Sequence, residues 1–156
     1  MAPQLSPQPT ANRNHREKQD IAMLHRLASA FAISAEGFDS VAADFWNWQS
    51  PADFARLSIE RQRATSELRS IARRSGPPPQ AAKMWLAGHL RNWLAVRAAL
   101  SSGNGDSVKR EVRRAERFFL ERCEAAHERM PATANREVVR RHTGSIRRLL
   151  KAIGEG

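Results

Sequence analysis

Apolar residues recur at alternating three- and four-residue steps along most of this chain. From about Lys18 to Trp46, Ile21, Leu24, Ala28, Phe31, Ala35, Phe38, Ala42 and Phe45 keep that rhythm without a slip. Such spacing places them on one stripe of a helix and predicts a seam that packs in a bundle. Gly37 lies beside the stripe, where it weakens a helix without having to break it. The segment WNWQSPAD ends the run; Ser50 suits an N-cap and Pro51 a first helical position. A second helix follows to about Arg74, with Phe54, Leu57, Ala64, Leu68 and Ile71 inward and Arg61 on the same stripe.

SGPPP (75–79) breaks the pattern. A third helix then runs to about Leu100, with Leu86, Leu90, Trp93 and Leu100 on one side and Trp85, His89 and Val96 adjacent. SSGNGD predicts a turn from which Asp106 or Ser107 caps the next helix. The fourth helix, about Ser107 to Arg129, carries Val108, Val112, Ala115, Phe119, Cys123, Ala126 and Met130 in line, and Pro131 stops it. The fifth, about Asn135 to Ile153, aligns Val139, His142, Ile146, Leu149 and Ile153, and Gly144 is a point where it can fray or kink. Tyrosine is absent and no period-2 run persists, so no strand is expected. The fold class is all-α: an antiparallel four-helix bundle from the first four helices, with an additional C-terminal helix at an end or side or in a partner chain.

The 156 residues suffice for one domain with a core. Residues 1–16, polar and proline-rich, read as a flexible N-terminal tail, and 17–153 as a single helical-bundle domain. No apolar run has the length of a membrane span, and the N-terminal stretch lacks the apolar core of a signal peptide, so a cytoplasmic location is expected. The lone Cys123 excludes an internal disulfide framework and falls on an apolar stripe, which suits an inert thiol.

The formal net charge is +10, and only four of the 26 basic residues are Lys. Arginine dominance suits phosphate or carboxylate recognition; with the abundant alanine it also fits a compositional origin. Lys109 to Lys151 contains 13 Lys and Arg against 6 Glu. There Arg110, Arg113, Arg114, Arg117, Arg140, Arg141, Arg147 and Arg148 fall largely off the apolar stripes, a pattern that attracts nucleic acid or another polyanion. The plainer reading is a solvated face with intrahelical pairs such as Glu111–Arg114 and Glu137–Arg141.

Four stretches carry a resemblance. AEGFDSVAADF supplies Gly37 and Phe38; ERQRATSEL supplies Glu60, Arg61, Glu67 and Leu68; LRNW supplies Arg91 and Trp93; RRAE supplies Glu116. In order and spacing they resemble a bacterial ferritin-like four-helix family of uncharacterised function. Its third helix carries His-Arg-x-Trp and its fourth Glu-Arg-Gly-Glu. The resemblance covers about residues 18–152 and implies a divergent member. Leu90 stands where the family has His, with His89 one residue earlier and about 100° round the helix. Arg113 replaces the first Glu of the fourth-helix box. A metal site built from those groups is therefore expected to be degenerate.

A di-metal bundle site needs several inward carboxylates and two Glu-x-x-His motifs. One such motif occurs here, Glu124 to His127, and it flanks the stripe rather than falling on it. Glu36, Glu60 and Glu116 complete the metal candidates, with Glu67 a further carboxylate. Arg61 on a core stripe requires a carboxylate partner, Glu116 or Glu36, in a structural polar network. His142 and His89 read as buried or half-buried structural histidines. Trp46, Trp85 and Trp93 read as packing residues, and Trp48 as exposed. No phosphate loop, nucleophile elbow or Cys–His pair is present, and no catalytic residue or cofactor is expected. The MPATAN link is too long for a tight helix-turn-helix. The expected function is non-enzymatic, through helix-face contacts in a homo-oligomer or with a protein partner. The alternatives are electrostatic polyanion binding by the last two helices, and a metal-binding or redox bundle.

Overall fold

A computed structural model describes residues 9–44, 51–77 and 85–154. It contains α1 (Pro9–Asp44), α2 (Pro51–Ser75), α3 (Leu86–Ser102), α4 (Gly105–Arg129) and α5 (Ala134–Ala152). Among the described residues there is no strand, and no helix is long and apolar enough to cross a membrane. Phe45, Trp46, Trp48, Ser50 and the prolines at 78 and 79 lie outside the described residues, as does the tail up to residue 8.

The helix boundaries follow local chemistry. α1 begins at Pro9, ahead of the start expected near Lys18, so residues 9–16 are helical. Proline is preorganised for a first helical position, and nothing between it and Lys18 breaks a helix. α3 ends at Gly103, whose φ of 67° places it in the left-handed region, where glycine is favoured. The α4 cap is Asn104, not Asp106 or Ser107: its Oδ1 accepts from the Asp106 and Ser107 backbone N–H groups at 3.0 and 3.3 Å. α5 continues through Gly144 without a break.

The helices alternate in direction. α1 and α2 pair along their lengths, and α3 lies on another side of α1. There Ala30 meets His89 and Gly37 meets Trp93, so α1 and α3 run parallel. α4 packs antiparallel on α3, and α5 antiparallel on α4. α5 also reaches α2, so the packing order closes as α1, α2, α5, α4, α3. The fifth helix is therefore part of the wall, and it buries Val139, Thr143, Ile146, Leu149 and Leu150.

The core is aromatic at one level and aliphatic elsewhere. Phe31, Phe38, Phe54 and Phe119 are fully buried, with Leu24, Leu27, Leu68 and Ile146. α1 buries more than one stripe: Leu27, Ala30, Ser34 and Val41 join the expected positions because the helix has neighbours on several sides. Small residues allow that approach. A Cβ on Gly37 would sit 2.1 Å from Trp93 Cε3.

The phase of α3 differs from expectation. His89, Trp93, Val96 and Leu100 face inward, whereas Leu90 is 46% exposed and Leu94 50% exposed. The Trp93 ring packs edge-on against Phe38 with centroids 5.0 Å apart. Seating this largest side chain against Gly37 rotates Leu90 to the surface.

The Gly37–Trp93 contact yields a prediction of sign. Helix propensity alone would make Gly37→Ala stabilising by about 1 kcal/mol. Overpacking against a buried ring costs about 1–3 kcal/mol or more. We expect net destabilisation in urea unfolding, and Gly37→Ala combined with Trp93→Leu to recover part of the loss relative to additivity. A more stable Gly37→Ala variant would refute the contact.

Candidate functional site

Arg61 leaves α2 and crosses the interior to α4. Its Nη1 donates to Glu116 Oε1 at 3.0 Å and its Nη2 to Oε2 at 2.5 Å, a bidentate fork. The two side chains are 1% and 0% exposed. Nη1 also donates to Ser34 Oγ at 3.2 Å, and Ser34 Oγ donates to the Phe31 carbonyl at 2.9 Å. The guanidinium carbon lies 5.1 Å from the Phe38 ring centroid, 5.7 Å from Phe31 and 5.8 Å from Phe119. Aromatic faces carry negative potential, so the cation is held by rings as well as by a carboxylate. Among the described residues no Cα of α2 lies within 8 Å of an α4 Cα. The long arginine side chain therefore joins two helices whose backbones stand apart.

His89 lies beside this centre. Its Nε2 donates to the Ala30 carbonyl at 2.9 Å, which in the neutral ring leaves Nδ1 unprotonated, and Nδ1 is buried without a partner among the described residues. Its ring packs 4.6 Å from Phe119. Burial, reinforced by the nearby Arg61 charge and opposed by the Ala30 hydrogen bond, pushes its pKa down to about 4. His89 is neutral at physiological pH. Cys123 is fully packed, and burial pushes its thiol up, so thiolate chemistry is suppressed.

The five metal candidates do not converge. Glu36 is exposed on α1 and Glu60 is exposed on α2. Glu116 is held by Arg61. Glu124 accepts from Arg147 at 3.2 Å. His127 is half-buried near the end of α4, where its carbonyl accepts from Arg136 at 3.0 Å. Among the described residues no group of three His, Cys, Asp or Glu side chains is placed to hold a metal ion.

The eight basic candidates are divided in the same way. Arg140 pairs with Glu137, Arg141 with Glu67 at 2.7 Å, and Arg147 with Glu124. Glu137 thus turns to Arg140, not to the expected Arg141, and Glu111 Oε2 is buried without a hydrogen-bond partner among the described residues. Arg113 is half-buried and donates to the Ile153 carbonyl at 3.2 Å. A cation there suits the negative end of the α5 dipole. Arg110 donates to Ser107 Oγ, and Arg110, Arg114, Arg117 and Arg148 are exposed.

A second cluster ties α2 to α5. Glu67 accepts from Arg141 and, at 3.0 Å, from His142 Nε2. Desolvation raises the Glu67 carboxyl, but the two hydrogen bonds outweigh it and hold the carboxyl below its usual range. Burial lowers the His142 pKa, against the pull of Glu67. No spacing rule reveals this cluster, because its members lie 74 and 75 residues apart.

No family model, curated protein or solved structure matches the chain.

Two predictions follow from the buried groups. Arg61→Met and Glu116→Leu should each destabilise by about 3–5 kcal/mol, since each strands a buried polar partner. The double variant should cost well below the sum; additive losses in a urea double-mutant cycle would contradict the pairing. His89 has a folded pKa below its ordinary 6.5. Its stabilising neutrality is therefore complete above about pH 6.5 and is lost as pH falls toward 4, up to roughly 3 kcal/mol. His142 adds a contribution of the same sign. His89→Gln, which keeps a donor for Ala30, should flatten that acid limb of the stability profile; an unchanged slope would contradict the assignment.

Proposed function

We propose that the chain is a non-enzymatic, ferritin-like helical-bundle protein with a degenerate metal site, acting through helix-face contacts with other proteins. The observation that carries this reading is the Arg61–Glu116 pair. It places a cation in the interior and engages both oxygens of the inward carboxylate, while Arg61 Nε stays buried without a hydrogen-bond partner among the described residues. A positive guanidinium opposes a metal ion at the same place by Coulomb repulsion. The sequence resemblance supports the bundle ancestry, and the replacement of the family's carboxylate by Arg113 supports the loss of the site. The exposed leucines of α3 support the use of an outer helix face.

A second reading is electrostatic binding of nucleic acid or another polyanion. It is favoured by Arg110, Arg114 and Arg117, exposed at i, i+4 and i+7 on α4. Three side chains at phosphates would give a salt slope near −2 on single strands. A metal-binding or redox bundle is the third reading, and it would need Glu60, Glu124 and His127 to act apart from Glu116.

The deciding measurement is metal content by plasma mass spectrometry on untagged protein, before and after incubation with ferrous iron, manganese or zinc. We expect far less than one metal per chain. Stoichiometric metal, lost on Glu60→Ala or Glu116→Leu, would overturn the proposal. Single-stranded DNA titrated across salt concentrations tests the second reading. A steep slope, flattened by Arg110, Arg114 and Arg117 all changed to Ala, would favour it over helix-face contacts.

A further inference from the structure

We propose that the α1–α3 face is the contact surface for a second copy of this chain, related by a two-fold axis parallel to the helices. The inference rests on the helix-face reading above and names its partner. Leu90 and Leu94, one turn apart on α3, are about half exposed and rim a groove with Ile33 on α1. Burying both again would remove apolar surface from water, the main driving term of association.

Charge decides the occupant. From Phe31 to Asp44, α1 carries Glu36, Asp39 and Asp44 and no Lys or Arg. α3 carries Arg91 and Arg97 and no Asp or Glu. Glu36 and Arg97 stand on opposite walls of the same groove. Neither side chain is ion-paired among the described residues. One acidic and one basic helix side by side make a self-complementary face. A two-fold axis along the helices lays α1 of each copy over α3 of the other, acid over base.

The register fits. Ala30 lies level with His89, an offset of 59 residues. The Gly37–Trp93 contact gives an offset of 56, so along the parallel α1 and α3 Arg97 is level with the stretch from Phe38 to Val41, and Glu36 lies about 3–8 Å along the axis from it. Glu36 of each copy is then within side-chain reach of Arg97 of the other. The net positive charge of two such chains does not prevent the contact at physiological salt, where the Debye length is about 8 Å and remote charges are screened.

Sedimentation velocity across micromolar concentrations at physiological salt tests this. The wild-type chain should pass from monomer to dimer. Glu36→Arg and Arg97→Glu each set like charges together twice, and each alone should raise the dissociation constant about tenfold or more. An equimolar mixture of the two variants restores opposite charges at both positions and should dimerise like wild type. Leu94→Gln should weaken association without changing the circular dichroism spectrum. A wild-type protein that stays monomeric overturns the inference. So does a dimer indifferent to these changes, or a variant mixture that fails to recover. A metal-free monomer defeats this inference alone, whereas stoichiometric metal defeats the parent reading whatever the mass.

Discussion

A guanidinium enclosed by three phenylalanine rings is stable only while a carboxylate meets it. Arg61 and Glu116 satisfy that condition, and the rest of the packing is arranged around them. Ser34 brings α1 into the same network, so one pair fixes the rotation of three helices. Turning α4 by one residue would swing Glu116 about 100° away and carry Phe119 out of the core. The stretch RRAERFF is thereby sorted: Glu116 and Phe119 face in, while Arg114 and Arg117 face solvent and Arg113 closes the end of α5. A buried ion pair gains little net energy over apolar packing. Its contribution here is to penalise every other rotation.

The phase of α3 is set by size, not charge. Trp93 has one place to go, against the bare backbone of Gly37 and the edge of Phe38. Once it is seated, His89 enters the core beside Phe119, and its neutral ring finds the Ala30 carbonyl. Leu90 and Leu94 are left on the outside as a result. The surface of α3 is thus a by-product of its interior, which is why an apolar count on this helix misjudges which side is wet.

Periodicity makes the helices legible, and the α2 stripe places Arg61 inward, whereas Glu116 lies off the α4 stripe and its burial is not readable from the period. That Arg61 needs a carboxylate is legible, because a buried cation must be paired; the sequence leaves Glu116 and Glu36 as alternatives, and the structure selects Glu116. The α3 phase is not legible: Leu86, Leu90 and Trp93 fit one stripe as well as His89, Trp93 and Val96 fit the next. Steric fit at Gly37, which lies 56 residues away in sequence, breaks that tie. The start of α1 is not legible, because polar, proline-containing composition resembles a tail, while Pro9 is a sound first residue of a helix. The Glu67–Arg141–His142 cluster was invisible because charge patterns report neighbours along a helix and not across a bundle.

The Gly37–Trp93 contact also has an evolutionary consequence. A position with no room for one methyl group is tied to the residue that fills the room. Any larger residue at 37 can be accepted only after 93 has become smaller, so the order of substitutions is constrained as well as their identity. Position 37 is therefore conditional on position 93: among descendants of this chain, a larger residue at 37 should be found beside a smaller one at 93.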